Sequence, residues 1–190
     1  MLSYIRGPAT ALSSQTIPEV LRETAARVRD RDALVVLHQD VRLTYGALVD
    51  EVERVARGLA GLGLRAPERV GIWSTNCAEW ILLQLACARS GLVLVNVNPA
   101  YRSHELAFVL RKSRMKALFL HAADKRACYR EILEQARAGQ DLPLRHAVYL
   151  KDSSWDRMLE SGTEVPPAAV AKEHVVNIQY TSGTTGFPKG

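Results

Sequence analysis

The stretch RVGIWSTNCAEWILLQLACARSGLVLVNVN, residues 69–98, decides the fold class of this chain. RVGIW (69–73) and LVLVNVN (92–98) are short, continuous apolar runs, which is typical of strands that are buried on both faces. The segment between them has the length and pattern of a helix, and Asn76 with Glu79 three residues later resembles a capping box. Two buried strands joined by a crossover helix favour a parallel sheet.

The same alternation of strands and helices continues in both directions along the chain. Upstream, ALVVLH (33–38) is predicted as a strand, and Thr44 is predicted to cap a helix in which Leu and Val recur every three or four residues. Downstream, the predicted helices are SHELAFVLRKSR, YREILEQARAG and SSWDRMLESG, and the predicted strands are MKALFLH, LRHAVYL and HVVNIQY. We therefore predict an α/β fold with a doubly wound, mostly parallel sheet that carries helices on both faces.

Composition excludes several classes of protein. The chain has 190 residues, of which 47% are apolar and 24% charged, as in ordinary globular proteins. No apolar run approaches the ~18 residues of a membrane span, and the opening MLSYIRGPAT does not resemble a secretory signal. Cys77, Cys87 and Cys128 lack metal-binding or disulfide spacing and are predicted to be small buried residues in a reducing compartment. We expect a cytoplasmic location and no transmembrane segment.

The net charge of +5 does not indicate a nucleic-acid partner. The densest basic group, RKSRMK (111–116), lies at the end of a predicted helix, where cations offset the negative end of the helix dipole. No aromatic residues alternate with these cations, as they would in a surface that stacks bases. The five His are scattered without metal-ligand spacing. A basic chain of this kind is compatible with a small anionic substrate.

The last stretch, YTSGTTGFPKG (180–190), has the composition of a phosphate-binding loop. Gly183 and Gly186 allow the backbone to approach a ligand, four hydroxyl side chains can donate hydrogen bonds, and Lys189 supplies a mobile positive charge. The loop follows a predicted buried strand, and doubly wound sheets bind ligands beyond the carboxyl ends of their strands. The predicted ATP and phosphate contacts are Thr181, Ser182, Gly183, Thr184, Thr185, Gly186, Phe187, Pro188 and Lys189.

The loop matches neither the Walker A pattern nor G-x-G-x-x-G, but it resembles the phosphate-loop signature of the adenylate-forming superfamily. That superfamily includes acyl-CoA synthetases, luciferases and the adenylation domains of peptide synthetases. Upstream stretches from about residue 16 onward are also similar to the family, and VNVNPAYR (95–102) is most like the fatty-acyl-CoA synthetases of the medium-chain type.

The resemblance implies a two-step reaction. A carboxylate attacks the α-phosphate of ATP to give an acyl-adenylate and pyrophosphate, and coenzyme A then attacks to give a thioester and AMP. ATP, Mg²⁺ and coenzyme A are thus implied, with medium- or long-chain fatty acids as the expected substrates. The loop would hold the β- and γ-phosphates, and Thr181 would approach the magnesium ion. The family's acidic magnesium ligand and its late lysine lie beyond this loop, so no catalytic residue is expected here.

The resemblance also divides the chain. Residues 1–15 are predicted to be an N-terminal extension, and residues 16–190 the N-terminal subdomain of an AMP-binding domain, truncated at the phosphate loop. We expect these residues alone to be inactive and to self-associate, with a homo-oligomer as one form. Two alternatives stay open: an adenylation domain for an aryl or amino acid, and a catalytically inactive binding module that keeps the fold.

Six other residues stand out because of their places in the pattern. Trp73 and Trp80 can line a ligand channel or belong to the core, and the core is the favoured interpretation. Asn98, Pro99, Tyr101 and Arg102 follow a strand end, where sites gather. For Arg102 a solvent-exposed position is favoured over contact with an anion such as coenzyme A.

Overall fold

The structure is a computed structural model that describes residues 7–8, 13–181 and 189–190. In chain order, the helices and strands are α1 (Ile17–Val28), β1 (Asp32–Val36), β2 (Val41–Thr44), α2 (Tyr45–Gly61), β3 (Arg69–Trp73), α3 (Ala78–Arg89), β4 (Val93–Asn96), α4 (Ser103–Lys112), β5 (Ala117–Leu120), α5 (Tyr129–Arg137), β6 (His146–Tyr149), α6 (Ser153–Glu160) and β7 (Asn177–Gln179). The predicted helices and strands of the sequence analysis correspond to these elements, with most ends shifted by a few residues.

The main sheet has five strands in the order β6-β5-β3-β4-β7, and every neighbouring pair is parallel. The chain runs from β3 to β4, returns past β3 to β5 and β6, and reaches the opposite edge at β7. Because all five strands are parallel, the loops that follow them lie at the same end of the sheet, where the carboxyl ends of the strands meet, and we call this end the carboxyl edge.

Alternate residues of each strand enter two separate cores, one on each face of the sheet. Val70 and Ile72 of β3 belong to a core built with α2, α3 and α6, whereas Trp73 belongs to a core built with α4 and α5. The same alternation holds in β5, where Phe119 faces the first core and Leu118 the second. Helices on both faces of a parallel sheet confirm the predicted fold class.

One predicted strand lies outside the main sheet. Residues 33–36 of the predicted strand ALVVLH (33–38) belong to β1, which pairs with β2 in a separate two-stranded antiparallel sheet, whereas Leu37 and His38 lie in the turn that follows. A short turn, Leu37–Gln39 followed by Asp40 with a left-handed φ of 53°, joins the two strands. A connection this short permits only an antiparallel hairpin, because parallel neighbours need a crossover of a dozen or more residues. The sequence analysis did not predict β2.

The predicted cap of α3 is wrong in its residue. The helix begins at Ala78, with Cys77 rather than Asn76 at the capping position. The side chain that satisfies the helix start is Gln39, from the turn after β1: its Oε1 accepts from the Ala78 N–H at 2.7 Å, and its Nε2 donates to Glu79 at 2.9 Å. An amide brought in across 39 residues replaces the local cap. The predicted cap of α2 is confirmed, since Thr44 Oγ1 accepts from the Ala47 N–H.

The sequence analysis made no prediction for α1, although its first residues carry a start signal. Thr16 donates to the Glu19 carboxylate through both its backbone N–H and its hydroxyl, and Pro18 lies in the first turn. No helix in the described part of the chain is long and apolar enough to cross a membrane. Cys77 and Cys87 are buried as predicted, whereas Cys128 is only partly buried.

Candidate functional site

The loops that follow β3, β4 and β5 converge on a cleft of about 600 Å³. Its lining carries three cationic side chains, Arg102, Lys125 and Arg126, and one carboxylate, Asp124. The other lining residues are Thr75, Asn98, Pro99, Ala100, Ala127 and Tyr129. We call this the cationic cleft. It lies at the carboxyl edge, where parallel α/β sheets bind their ligands.

The first wall of the cleft is the turn between β4 and α4. Trp73, which is buried at the end of β3, donates its indole N–H to the backbone carbonyl of Asn98 at 3.1 Å. The Asn98 side chain accepts from the Ala100 N–H at 2.9 Å and so shapes the turn. Arg102 then precedes α4, and its backbone N–H donates to the Glu105 carboxylate. Of the two tryptophans for which a core position was favoured, Trp73 is fully buried, whereas Trp80 is only partly buried and packs against the first core. Arg102 is exposed, but it lines the cleft, where an anion can reach it.

The second wall is the loop between β5 and α5. Asp124 Oδ1 accepts from the backbone N–H groups of Arg126 and Ala127, at 2.7 and 2.9 Å, and Oδ2 accepts from the Tyr129 hydroxyl at 2.7 Å. The Tyr129 ring is buried and meets the Trp73 ring edge-on, with 4.6 Å between centroids. Lys125 and Arg126 are exposed on this loop.

These contacts fix the charge state of the pair. The hydrogen bond from the Tyr129 hydroxyl, together with those from backbone N–H groups, lowers the pKa of Asp124. Burial, followed by the bond to Asp124, raises the pKa of Tyr129 to about 12. The hydroxyl therefore remains a donor and the carboxylate remains charged near neutral pH. Because that carboxylate is bonded to its own loop, the lining presents its three cations to a ligand.

The predicted phosphate loop begins directly after β7. Thr181 and Lys189 pair as an antiparallel bridge: the Thr181 N–H donates to the Lys189 carbonyl at 2.8 Å, and the Lys189 N–H donates back at 3.0 Å. Both residues are exposed. The other predicted contacts lie outside the described residues: Ser182, Gly183, Thr184, Thr185, Gly186, Phe187 and Pro188. Thr181 and Lys189 thus form the base of the loop.

A small depression of about 200 Å³ connects the two regions. It lies between the ends of β4 and β7, and its lining includes Tyr180, the residue before the loop, and Trp80, which is partly buried. Asn98 and Pro99 line both this depression and the cationic cleft. The base of the predicted phosphate loop and the cleft therefore lie along the same edge of the sheet.

The described residues do not by themselves fit a magnesium ion at Thr181. The Thr181 hydroxyl donates to the Lys189 carbonyl at 3.3 Å, and Mg²⁺ is usually held with carboxylate oxygens. Within residues 7–8, 13–181 and 189–190 no group of three His, Cys, Asp or Glu side chains is placed to hold a metal. The role of Thr181 toward magnesium stays a prediction.

The second wall of the cleft was not predicted from the sequence; it holds Asp124, Lys125, Arg126 and Tyr129. These residues form no recognised motif. Their one signal was position: the stretch HAADKRACYRE (121–131) directly follows a predicted buried strand, and therefore lies at the edge where ligands bind.

A family model described as AMP-binding enzyme matches residues 21–190. The chain belongs to the AMP-binding enzyme family. The medium-chain acyl-CoA ligase ACSF2, mitochondrial, of Pongo abelii is 41% identical over 100% of this chain and 35% of its own length. The protein of the same name from Homo sapiens is 39% identical over the same shares. These matches confirm the family resemblance predicted from the terminal loop.

Solved structures share the fold of this chain. The Mycobacterium tuberculosis fatty acyl CoA synthetase superposes with a TM-score of 0.79 at 28% identity, covering 92% of this chain and 34% of that one. The chain spans about a third of the length of the curated relatives it matches.

Proposed function

We propose that this chain forms the N-terminal subdomain, residues 16–190, of an AMP-forming acyl-CoA ligase that acts on medium-chain fatty acids. The observation that carries the proposal is the 41% identity, over 100% of the chain, to a protein named as a medium-chain acyl-CoA ligase. That name also favours a fatty acid over the aryl- and amino-acid alternatives. We expect the 190 residues alone to be inactive, as the sequence analysis did.

In this proposal the loop from Thr181 to Lys189 holds the polyphosphate of ATP. The backbone groups of Lys189 are paired with Thr181, so its exposed side chain extends from a fixed base. An ammonium group there offsets the charge that develops on pyrophosphate as the carboxylate attacks the α-phosphate. Magnesium, when bound, would neutralise further phosphate charge.

The cationic cleft is suited to coenzyme A, the substrate that enters in the second half-reaction. Coenzyme A carries phosphate groups on its nucleotide, and Arg102, Lys125 and Arg126 offer one lysine and two guanidinium groups for them. The cleft shares Asn98 and Pro99 with the depression that leads toward the phosphate loop. One edge would thus serve both half-reactions.

The proposal is tested on the protein made from the complete open reading frame that contains these residues. It is assayed with ATP, coenzyme A and a ladder of carboxylic acids that includes short, medium and long fatty acids, an aryl acid and an amino acid. We expect AMP and a thioester, with medium-chain acids turned over fastest. Turnover with only the aryl or amino acid would support an alternative substrate, and no turnover would support a binding module.

Lys189→Ala tests the phosphate loop. We expect ATP–pyrophosphate exchange to slow by about 10²-fold, because a charge that stabilises the departing pyrophosphate is lost. The matched control is Lys172→Ala, which removes an exposed lysine from the segment before β7. An exchange rate that both variants leave at the wild-type value would contradict the role of Lys189.

Two further predictions remain open to measurement. The relatives from Pongo abelii and Homo sapiens are named as mitochondrial proteins, so the cytoplasmic location stays a prediction that fractionation of cells would test. The homo-oligomer is checked by sedimentation of the purified protein, for which a concentration-independent monomer would be the opposing result.

A further inference from the structure

Two buried aromatic residues join the walls of the cationic cleft. Trp73 donates to the Asn98 carbonyl in the first wall, and its ring packs 4.6 Å from the ring of Tyr129, at the start of α5. The Tyr129 hydroxyl then donates at 2.7 Å to Asp124 in the second wall. Contacts of buried side chains thus run from the turn that precedes Arg102 to the loop that carries Lys125 and Arg126.

Asp124 uses both carboxylate oxygens to hold its own loop. One oxygen accepts from two backbone N–H groups, those of Arg126 and Ala127, and the other accepts from Tyr129. The Asp124 N–H also donates to the Ala127 carbonyl at 2.9 Å, which closes the turn. The conformation that exposes Lys125 and Arg126 therefore depends on this carboxylate and on the hydroxyl that anchors it.

We infer that Asp124 and Tyr129 are positioning residues for the phosphate-bearing cosubstrate. They hold the cations of the second wall opposite Arg102 and do not themselves contact the phosphate groups. This inference rests on the proposed function, because it takes coenzyme A as the ligand of the cleft. It adds a carboxylate that accepts hydrogen bonds and a phenol that donates one to a site that is proposed to bind an anion.

Because Asp124 is negatively charged, the direction in which its removal changes the binding of coenzyme A tests the inference. If Asp124 were only a charge in the lining, its removal would leave the cleft more positive and strengthen binding of an anion. If Asp124 positions the loop, its removal releases Lys125 and Arg126 and weakens binding. The two roles therefore predict opposite changes in the Michaelis constant for coenzyme A.

The experiment measures both half-reactions of the complete protein for Asp124→Ala and Tyr129→Phe. We expect the KM for coenzyme A to rise about tenfold in Tyr129→Phe, the loss expected for one hydrogen bond to a charged group, and at least as much in Asp124→Ala, which removes three. ATP–pyrophosphate exchange, which needs no coenzyme A, serves as the internal reference. Tyr129→Phe deletes one oxygen and keeps the ring against Trp73, so it stays decisive if Asp124→Ala fails to fold. Tyr45→Phe, in the first turn of α2 and outside the cleft lining, is the matched control.

The outcomes separate this inference from the proposed function. A wild-type protein that makes no thioester would overturn the proposed function itself. Wild-type thioester formation with an unchanged or lower KM for coenzyme A in Tyr129→Phe would overturn the positioning role alone. A parallel loss of exchange and thioester formation in Tyr129→Phe would overturn it as well, since that pattern indicates general damage to the fold.

Discussion

The two regions of the carboxyl edge are built in different ways. The base of the phosphate loop is local: Thr181 and Lys189 are eight residues apart and bond through their backbones. The cationic cleft is assembled from three loops, and its central contact joins Trp73 to a carbonyl 25 residues away. A sequence motif can predict a site of the first kind. A site of the second kind forms only when the sheet brings loops that are distant in sequence together.

Removal of the Trp73 side chain should have the largest effect on the stability of the protein, because this side chain joins the two walls of the cationic cleft. Trp73→Ala deletes a fully buried indole that packs on Tyr129, and we expect it to lower the free energy of unfolding by about 3–5 kcal/mol. Urea unfolding followed by circular dichroism gives this value. Trp80→Ala, at a partly buried tryptophan, is the control and should cost less. Equal losses of unfolding free energy in Trp73→Ala and Trp80→Ala would contradict the larger contribution assigned to Trp73.

Removal of a positive charge from the cationic cleft should weaken the use of coenzyme A and leave ATP–pyrophosphate exchange unchanged. Arg102→Ala and Arg126→Ala are each expected to raise the KM for coenzyme A about fivefold, since both guanidinium groups are exposed and partly screened. The effect should diminish at high salt. ATP–pyrophosphate exchange, which in the proposed function depends on the loop from Thr181 to Lys189, provides the comparison. If either arginine slowed exchange as strongly as it raised the KM, the two regions would not act separately.

The smallest expected effect is a dependence of stability on pH at Asp124. Because the folded-state pKa lies below the usual value near 3.8, this carboxylate stabilises the fold above that pH, and the contribution is lost as pH falls through the folded pKa. Asp124→Asn should therefore lower the melting temperature slightly at neutral pH, since the carboxylate is largely screened by solvent, with a difference that narrows below about pH 4. A difference that stays constant from neutral pH to pH 3 would contradict the assigned cause.

The fold was predictable because short-range patterns of apolar residues specify its strands and helices. Continuous apolar runs such as RVGIW predict a strand with both faces buried, and in the structure Ile72 and Trp73 do enter opposite cores. Thr44 caps α2 as predicted because its partner, Ala47, is three residues away. The helix α3 was predicted but its cap was not, because Gln39 supplies that cap from a turn that is distant in sequence.

The sequence by itself determined the class of sheet, the alternation of its strands and helices, and the loop that resembles the phosphate-binding signature of the AMP-binding enzymes. Each of these depends on residues within a few positions of one another. The tertiary structure alone decided that β1 and β2 leave the main sheet, that Gln39 caps α3, and that Arg102, Lys125 and Arg126 line one cleft. The physical reason is that these features depend on which strand ends become neighbours, and neighbours in a parallel sheet are set by the packing of both faces at once.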